Sequence, residues 1–95
     1  MNSGQQFEWD DAKAQSNLAK HGVPFAYAAR AFLDPDLVDF DASKPEDGEV
    51  RRKAVGVIEG RLFTVVYTER DDVVRIISAR RCNAAEARRY GPVHP

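Results

Sequence analysis

The sequence predicts an α+β fold, small helices packed on a mainly antiparallel sheet, and three observations predict it. Three runs rich in β-branched and aromatic residues, at 51–59, 61–70 and 72–80, follow one another with only short turns between them, the pattern of a hairpin meander. Two alanine-rich stretches with helix stop signals precede them. A capped helical segment follows them. The expected order is β-α-α-(β)-β-β-β-α, with helices covering one face of the sheet.

"QQFEWD" reads as a short first strand, with Phe7 and Trp9 on one face and Glu8 on the other. Asp10 or Asp11 then caps a helix, because a carboxylate accepts its free N–H groups and suits the dipole. That helix, "DAKAQSNLAKHG", places Ala14 and Leu18 one turn apart. Lys20 and His21 fall in its last turn and Gly22 just beyond, a helix stop. Pro24 opens a second helix, "PFAYAARAFL", with Phe25, Ala28, Ala29 and Phe32 as its inner face. Asp34-Pro35 ends it. Residues 34–49 read as an acidic loop with a short strand at "LVDF". In the meander, Gly60 marks one turn and Arg70-Asp71-Asp72 the other. Asn83 caps the last helix, "AAEARRY", and Glu86 three residues on completes a capping box.

The 95 residues make one expected domain, 1–95, since a second core would not fit. No apolar run approaches membrane-spanning length. No basic segment followed by an apolar one opens the sequence, so no secretory leader is expected. Cys82 is the sole cysteine and has no intrachain disulfide partner. Both facts favour a cytoplasmic setting.

The net charge of −1 conceals a polarised chain. Residues 1–50 carry ten acids and four bases, and residues 51–95 carry five acids and ten bases. Seven acids lie between Asp34 and Glu49, and five arginines between Arg75 and Arg89. Such asymmetry suits a polyanion partner for the basic half, although a solvated mixed-charge surface is the commoner reading of any one charge run.

Metal chemistry is easily set aside. One cysteine and two distant histidines, His21 and His94, form no zinc pattern. "DPDLVDFD" lacks the glycine and glutamate that a calcium loop requires. There is no Gly-rich phosphate loop and no nucleophile elbow. Nothing orients Cys82 against His21 or His94, so a structural cysteine is the expected role. No cofactor or metal is expected.

The arginines are the better lead. In "VVRIISARR", strict alternation puts Val74, Ile76, Ser78 and Arg80 on one face and Val73, Arg75, Ile77, Ala79 and Arg81 on the other. Both faces are then apolar and cationic, and each guanidinium needs water, a carboxylate or a polyanion. Arg51, Arg61, Arg75, Arg80 and Arg81 all fall on or beside the three strands. Arginine donates a fork of hydrogen bonds to a phosphorane and stays protonated. Glu69 serves either as a base or as a holder of an arginine; an ion-pair lattice is the plain alternative for the set. Trp9 either stacks on a base or anchors the core. His21 either moves a proton or caps its helix, and Lys20 stands beside it to touch a phosphate.

Taken together, "FEWDDAKAQSNLAKHGVPF", "GRLFTVVYTER" and "RIISARR" followed by a capped helix resemble the BrnT family of toxins. The resemblance runs from Phe7 to about Tyr90 and implies a RelE-like fold. It also implies a metal-independent endoribonuclease that blocks translation. The implied partner is a BrnA-like ribbon-helix-helix antitoxin that covers the active surface, forms a hetero-oligomer and carries the complex to operator DNA. By this resemblance Arg80, Glu69, His21 and Arg51 are the expected catalytic residues, and Trp9, Lys20, Arg75 and Arg81 the expected RNA-binding ones. Pro24 and Cys82-Asn83 depart from the family's pattern without touching that chemistry. The expected reaction is attack by an RNA 2′-hydroxyl on the adjacent phosphate. The rival expectation is a non-catalytic binding module that sequesters an antitoxin or co-represses its operon, which the modest net charge favours.

Overall fold

The computed structural model describes residues 4–93. Its elements are β1 (Gln6–Glu8), α1 (Asp11–His21), α2 (Phe25–Ala28) running on as a 3₁₀ stretch (Ala29–Leu33), β2 (Val38–Asp41), a 3₁₀ turn (Pro45–Asp47), β3 (Arg52–Ile58), β4 (Arg61–Arg70), β5 (Val73–Arg81) and α3 (Ala84–Tyr90). The α+β layout read from the sequence is the one the chain adopts. Strands β2 to β5 form the antiparallel meander. β1 joins it parallel to β5, so the sheet is mixed, in the order β1-β5-β4-β3-β2. His94 lies outside the described residues. No described helix is long and apolar enough to cross a membrane.

Asp10 caps α1, its Oδ1 accepting from the Lys13 N–H at 3.1 Å, and Gly22 ends the helix in the left-handed conformation. Ala14 packs on the core, but Leu18 one turn on is 48% exposed, and the buried residue of α1 is Asn17. β1 covers only Val73–Arg75 of β5, so the rest of that strand is an edge. Asn17 fills the gap as a one-residue strand: its amide donates to the Ala79 carbonyl at 2.8 Å and accepts from the Ala79 N–H at 3.1 Å. The second helix is shorter than expected. Its buried residues are Phe25 and Ala28 in the α-helical turn and Ala31 three further on in the 3₁₀ stretch, while Ala29 and Phe32 are only half-buried.

The 3₁₀ stretch sits close on β3 because of Gly56. A Cβ there meets the Ala31 carbonyl oxygen at 2.7 Å and Leu37 Cδ1 at 2.9 Å. Gly56→Ala therefore pushes the helical layer off the sheet and destabilises the fold by about 1–3 kcal/mol, as overpacking does. Urea melts of the two proteins read it, and an unchanged midpoint rules out the tight approach.

The register of β5 corrects the alternation read from the sequence. Val66 pairs with Ser78 but Tyr67 pairs with Ile76, so Ile77 is an extra residue in β5. The faces exchange at that point. Val74, Ile76 and Ala79 are buried under α1 and α2, and Arg81 follows them on the same face. Arg75, Ser78 and Arg80 share the other. The helices also divide. The first two pack against Phe63, Val65 and Tyr67, whereas α3 lies across the opposite face, over Lys53 and Thr64. One covered face was expected; two are seen, because Glu86 on α3 has its partners on the far side.

Candidate active site

Two groups of cations stand near the end of β5, one on each face of the sheet. On the α3 face they converge on one carboxylate. Arg80 donates a fork to Glu86, Nη1 to Oε1 and Nη2 to Oε2, both at 2.7 Å. Lys53 Nζ reaches Oε2 at 3.1 Å, Thr64 donates to Oε1 at 2.9 Å, and the Asn83 N–H to Oε1 at 3.0 Å. Burial alone pushes the Glu86 pKa up, but these donors outweigh it and hold the carboxyl at about 2. The thiol of Cys82 lies 3.0 Å from Thr64 Oγ1. It donates there, since the Thr64 proton is committed to Glu86, and burial raises its pKa. The capping box read from the sequence is present. What the sequence hid is that its glutamate also clamps α3 to the sheet. Arg89 stacks over the Phe40 ring at 3.9 Å and Tyr90 donates to Asp34 at 2.6 Å, completing the attachment.

On the α1/α2 face, a cleft of about 620 Å³ has Val23 and Phe63 in its floor and His21, Glu59, Arg61 and Arg81 around it. The local folding explains the convergence. Arg61 and Phe63 are two apart on β4 and so share a face, and Arg81 stands opposite Phe63 across the β4–β5 pairing. Arg81 holds its guanidinium carbon 5.7 Å from the Phe63 centroid. His21 is the last residue of α1, and the left-handed turn at Gly22 carries the chain along the cleft wall. Glu59 and Gly60 form the two-residue loop between β3 and β4, both with positive φ. Asn-Gly is the usual pair in such a loop, and a glutamate there is strained by about 1 kcal/mol. Tyr27 donates to Glu59 Oε1 at 2.6 Å, and Arg30 lies 3.5 Å from the same oxygen. The Glu59 hydrogen bond, more than burial, raises the Tyr27 pKa.

Among the described residues, Arg61 and Arg81 make no ion pair, whereas Arg30, Arg51, Arg52, Arg70, Arg75 and Arg80 all do. Two uncommitted guanidiniums beside an imidazole can hold a phosphodiester with a proton acceptor at hand.

The structure brings His21 and Arg81 to one cleft, with Lys20 next to His21 on α1, and sets Arg80, Arg75 and Arg51 on the other face of the sheet. Arg80 is on the α3 face, in the Glu86 clamp. Arg75 is also there, and its Nη1 meets Glu8 at 2.8 Å. Arg51 lies beside Lys53 in a groove of that face, within 3.6 Å of Asp47 and 3.8 Å of Glu49. Glu69 is exposed, five residues along β4 from Thr64, about 17 Å at strand spacing, and points to the other face. Trp9 is half-buried and packs edge-on against Phe25 at 5.9 Å. Lys20 is exposed on α1 beside His21. In the sequence Arg61 is marked only as one of the strand arginines, and Tyr27 and Lys53 carry no local signal at all. A glutamate in the asparagine position of a two-residue hairpin was the one local signal for Glu59. Among the described residues, no three His, Cys, Asp or Glu side chains gather as metal ligands do.

A family model described as the ribonuclease toxin BrnT of type II toxin–antitoxin systems matches residues 9–86. No curated protein matches the chain.

Proposed function

The chain belongs to the BrnT family of ribonuclease toxins of type II toxin–antitoxin systems, and on that premise we propose that it is a metal-independent endoribonuclease working in the His21–Arg61–Arg81 cleft. The observation that carries this reading is one cleft lined by an imidazole and by two guanidiniums that form no ion pair among the described residues. In the reaction the RNA 2′-oxygen bonds to phosphorus and the bond to the 5′-oxygen breaks. His21 takes the 2′-hydroxyl proton and returns it to the departing 5′-oxygen. Arg61 and Arg81 bear the charge that grows on the phosphorane. Lys20 draws the RNA strand toward the cleft. Arg80, Arg51 and Arg75 support the sheet from its other face, and Trp9 supports the core.

A type II toxin has a protein antitoxin. The finer proposal is a BrnA-like ribbon-helix-helix protein that covers the cleft, forms a hetero-oligomer, and binds operator DNA itself. Cleavage of cytoplasmic RNA would halt translation.

One observation favours a second reading. The donors around Glu86, a guanidinium fork, an ammonium, a hydroxyl and a backbone N–H, are those a phosphate would choose. On that reading Arg80 is the catalytic arginine and α3 must lift to admit RNA.

Incubation of purified protein with RNA in EDTA tests the primary reading. Wild type is expected to leave 2′,3′-cyclic phosphate and 5′-hydroxyl ends, and His21→Ala to slow cleavage by about 10²-fold, within the usual range for a proton-transfer group. Full activity in His21→Ala excludes the cleft as drawn. Absence of cleavage by wild type, on naked RNA and on ribosomes, favours the non-catalytic module.

A further inference from the structure

The glutamate of the β3–β4 loop stands where the turn itself does not call for one. Its position asks for asparagine or glycine, and its side chain is 62% exposed. Yet one of its oxygens is held in place. Tyr27 and Arg30 both address Oε1, which leaves Oε2 without a hydrogen bond among the described residues. The carboxylate is thus a fixed acceptor with one oxygen open, beside a cleft whose floor includes Val23 and Phe63. Arg61 is two residues further on, across Gly60, at most about 7 Å away between Cα atoms. A phosphate held by Arg61 and Arg81 therefore brings a neighbouring base within reach of Glu59.

We propose that Glu59 reads a guanine in the RNA, a reading that rests on RNA being the ligand of this cleft. The reason is hydrogen-bond arithmetic. An ionised carboxylate only accepts. Guanine presents two adjacent donors on its Watson–Crick edge, N1–H and the N2 amino group, one for each oxygen. Adenine and cytosine present a single amino group beside a ring acceptor that the carboxylate repels. Uracil presents one N–H between two carbonyls. Oε2 takes one guanine donor outright. Oε1 accepts the second alongside Tyr27, which fixes the plane in which the base must lie. Phe63 in the floor is buried beneath the Arg81 guanidinium and gives a base no free ring to stack on, so discrimination falls to Glu59.

Binding and cleavage are measured separately. The binding probe is a 2′-O-methyl trinucleotide, which cannot be cleaved, with guanine, adenine, cytosine or uracil in the middle. Wild type is expected to prefer guanine about tenfold over uracil, the effect of one good bidentate pair. In Glu59→Gln that ratio falls to within about twofold. Tyr27→Phe keeps the ring but frees Oε1, and loses part of the preference. Equal binding of all four bases by wild type, or an undiminished guanine preference in Glu59→Gln, overturns the assignment. A preference for adenine or cytosine overturns it too. The cleavage arm uses ordinary RNAs of the same sequences. Guanine preference in binding with no cleavage sinks the ribonuclease reading alone, and cleavage with no preference sinks the guanine reading alone.

Discussion

Arg81→Ala is expected to lower kcat/KM for RNA cleavage by about 10²- to 10³-fold, the range for removing one donor that faces the charge of a transition state. Stability should hardly move. Arg81 is exposed and packs on Phe63, a contact worth about 0.5–1 kcal/mol at an exposed site. The neighbouring residue provides the contrast. Arg80→Ala takes the fork away from a carboxylate that is 5% exposed, so its first effect is on folding. Activity and urea midpoint are to be measured for both variants at a temperature where each is folded. The cleft reading expects Arg81→Ala to be folded and inactive, and Arg80→Ala to be less stable but active where folded. The reverse pattern moves the site to the α3 face and makes α3 a movable cover.

Glu86→Ala should be the most destabilising single change on that face. It leaves Lys53 and Arg80 facing one another without their shared carboxylate. Breaking a buried pair by removing one partner costs about 3–5 kcal/mol, and α3 loses the N-terminal half of its attachment as well. The expected result is a lower urea midpoint with α3 released first, read as amide exchange in residues 84–90 that outpaces exchange in β4.

The same carboxylate makes the fold sensitive to acid. Its folded pKa is depressed, from an ordinary 4.5 to about 2. The stabilisation is therefore fully present above about 4.5 and is lost as pH falls toward 2, an amount on the order of 3 kcal/mol. Asp34 acts in the same direction: despite its burial, hydrogen bonds from Tyr90, Val57 and Asp36 lower its pKa. Denaturation from pH 7 down to 2 should show stability falling most steeply below pH 4.5, and less steeply in Glu86→Gln. An identical pH slope in the two proteins would falsify the clamp as the source of acid sensitivity.

Much of this molecule is legible one segment at a time. Asp10 before α1, Gly22 after it, Asn83 with Glu86 at α3, and Asp71-Asp72 between β4 and β5 announce themselves because caps and tight turns are interactions within a few residues. The three long strands and their antiparallel order follow from runs of β-branched residues joined by short loops. The family was legible too, since its motifs are local strings. What the sequence by itself determined, then, is the set of elements, their caps and turns, the order of the meander and the kinship of the chain. Only the tertiary structure decided where the arginines point. An extra residue at Ile77 exchanges the faces of β5, and its position depends on how β4 pairs with it. β1 finds β5 across 67 residues of chain, at Glu8 and Arg75. Glu86 meets Lys53 from 33 residues away. Such contacts are chosen by which partners satisfy a buried charge or a free strand edge once the layers have packed, and no short window of sequence contains both sides of that choice.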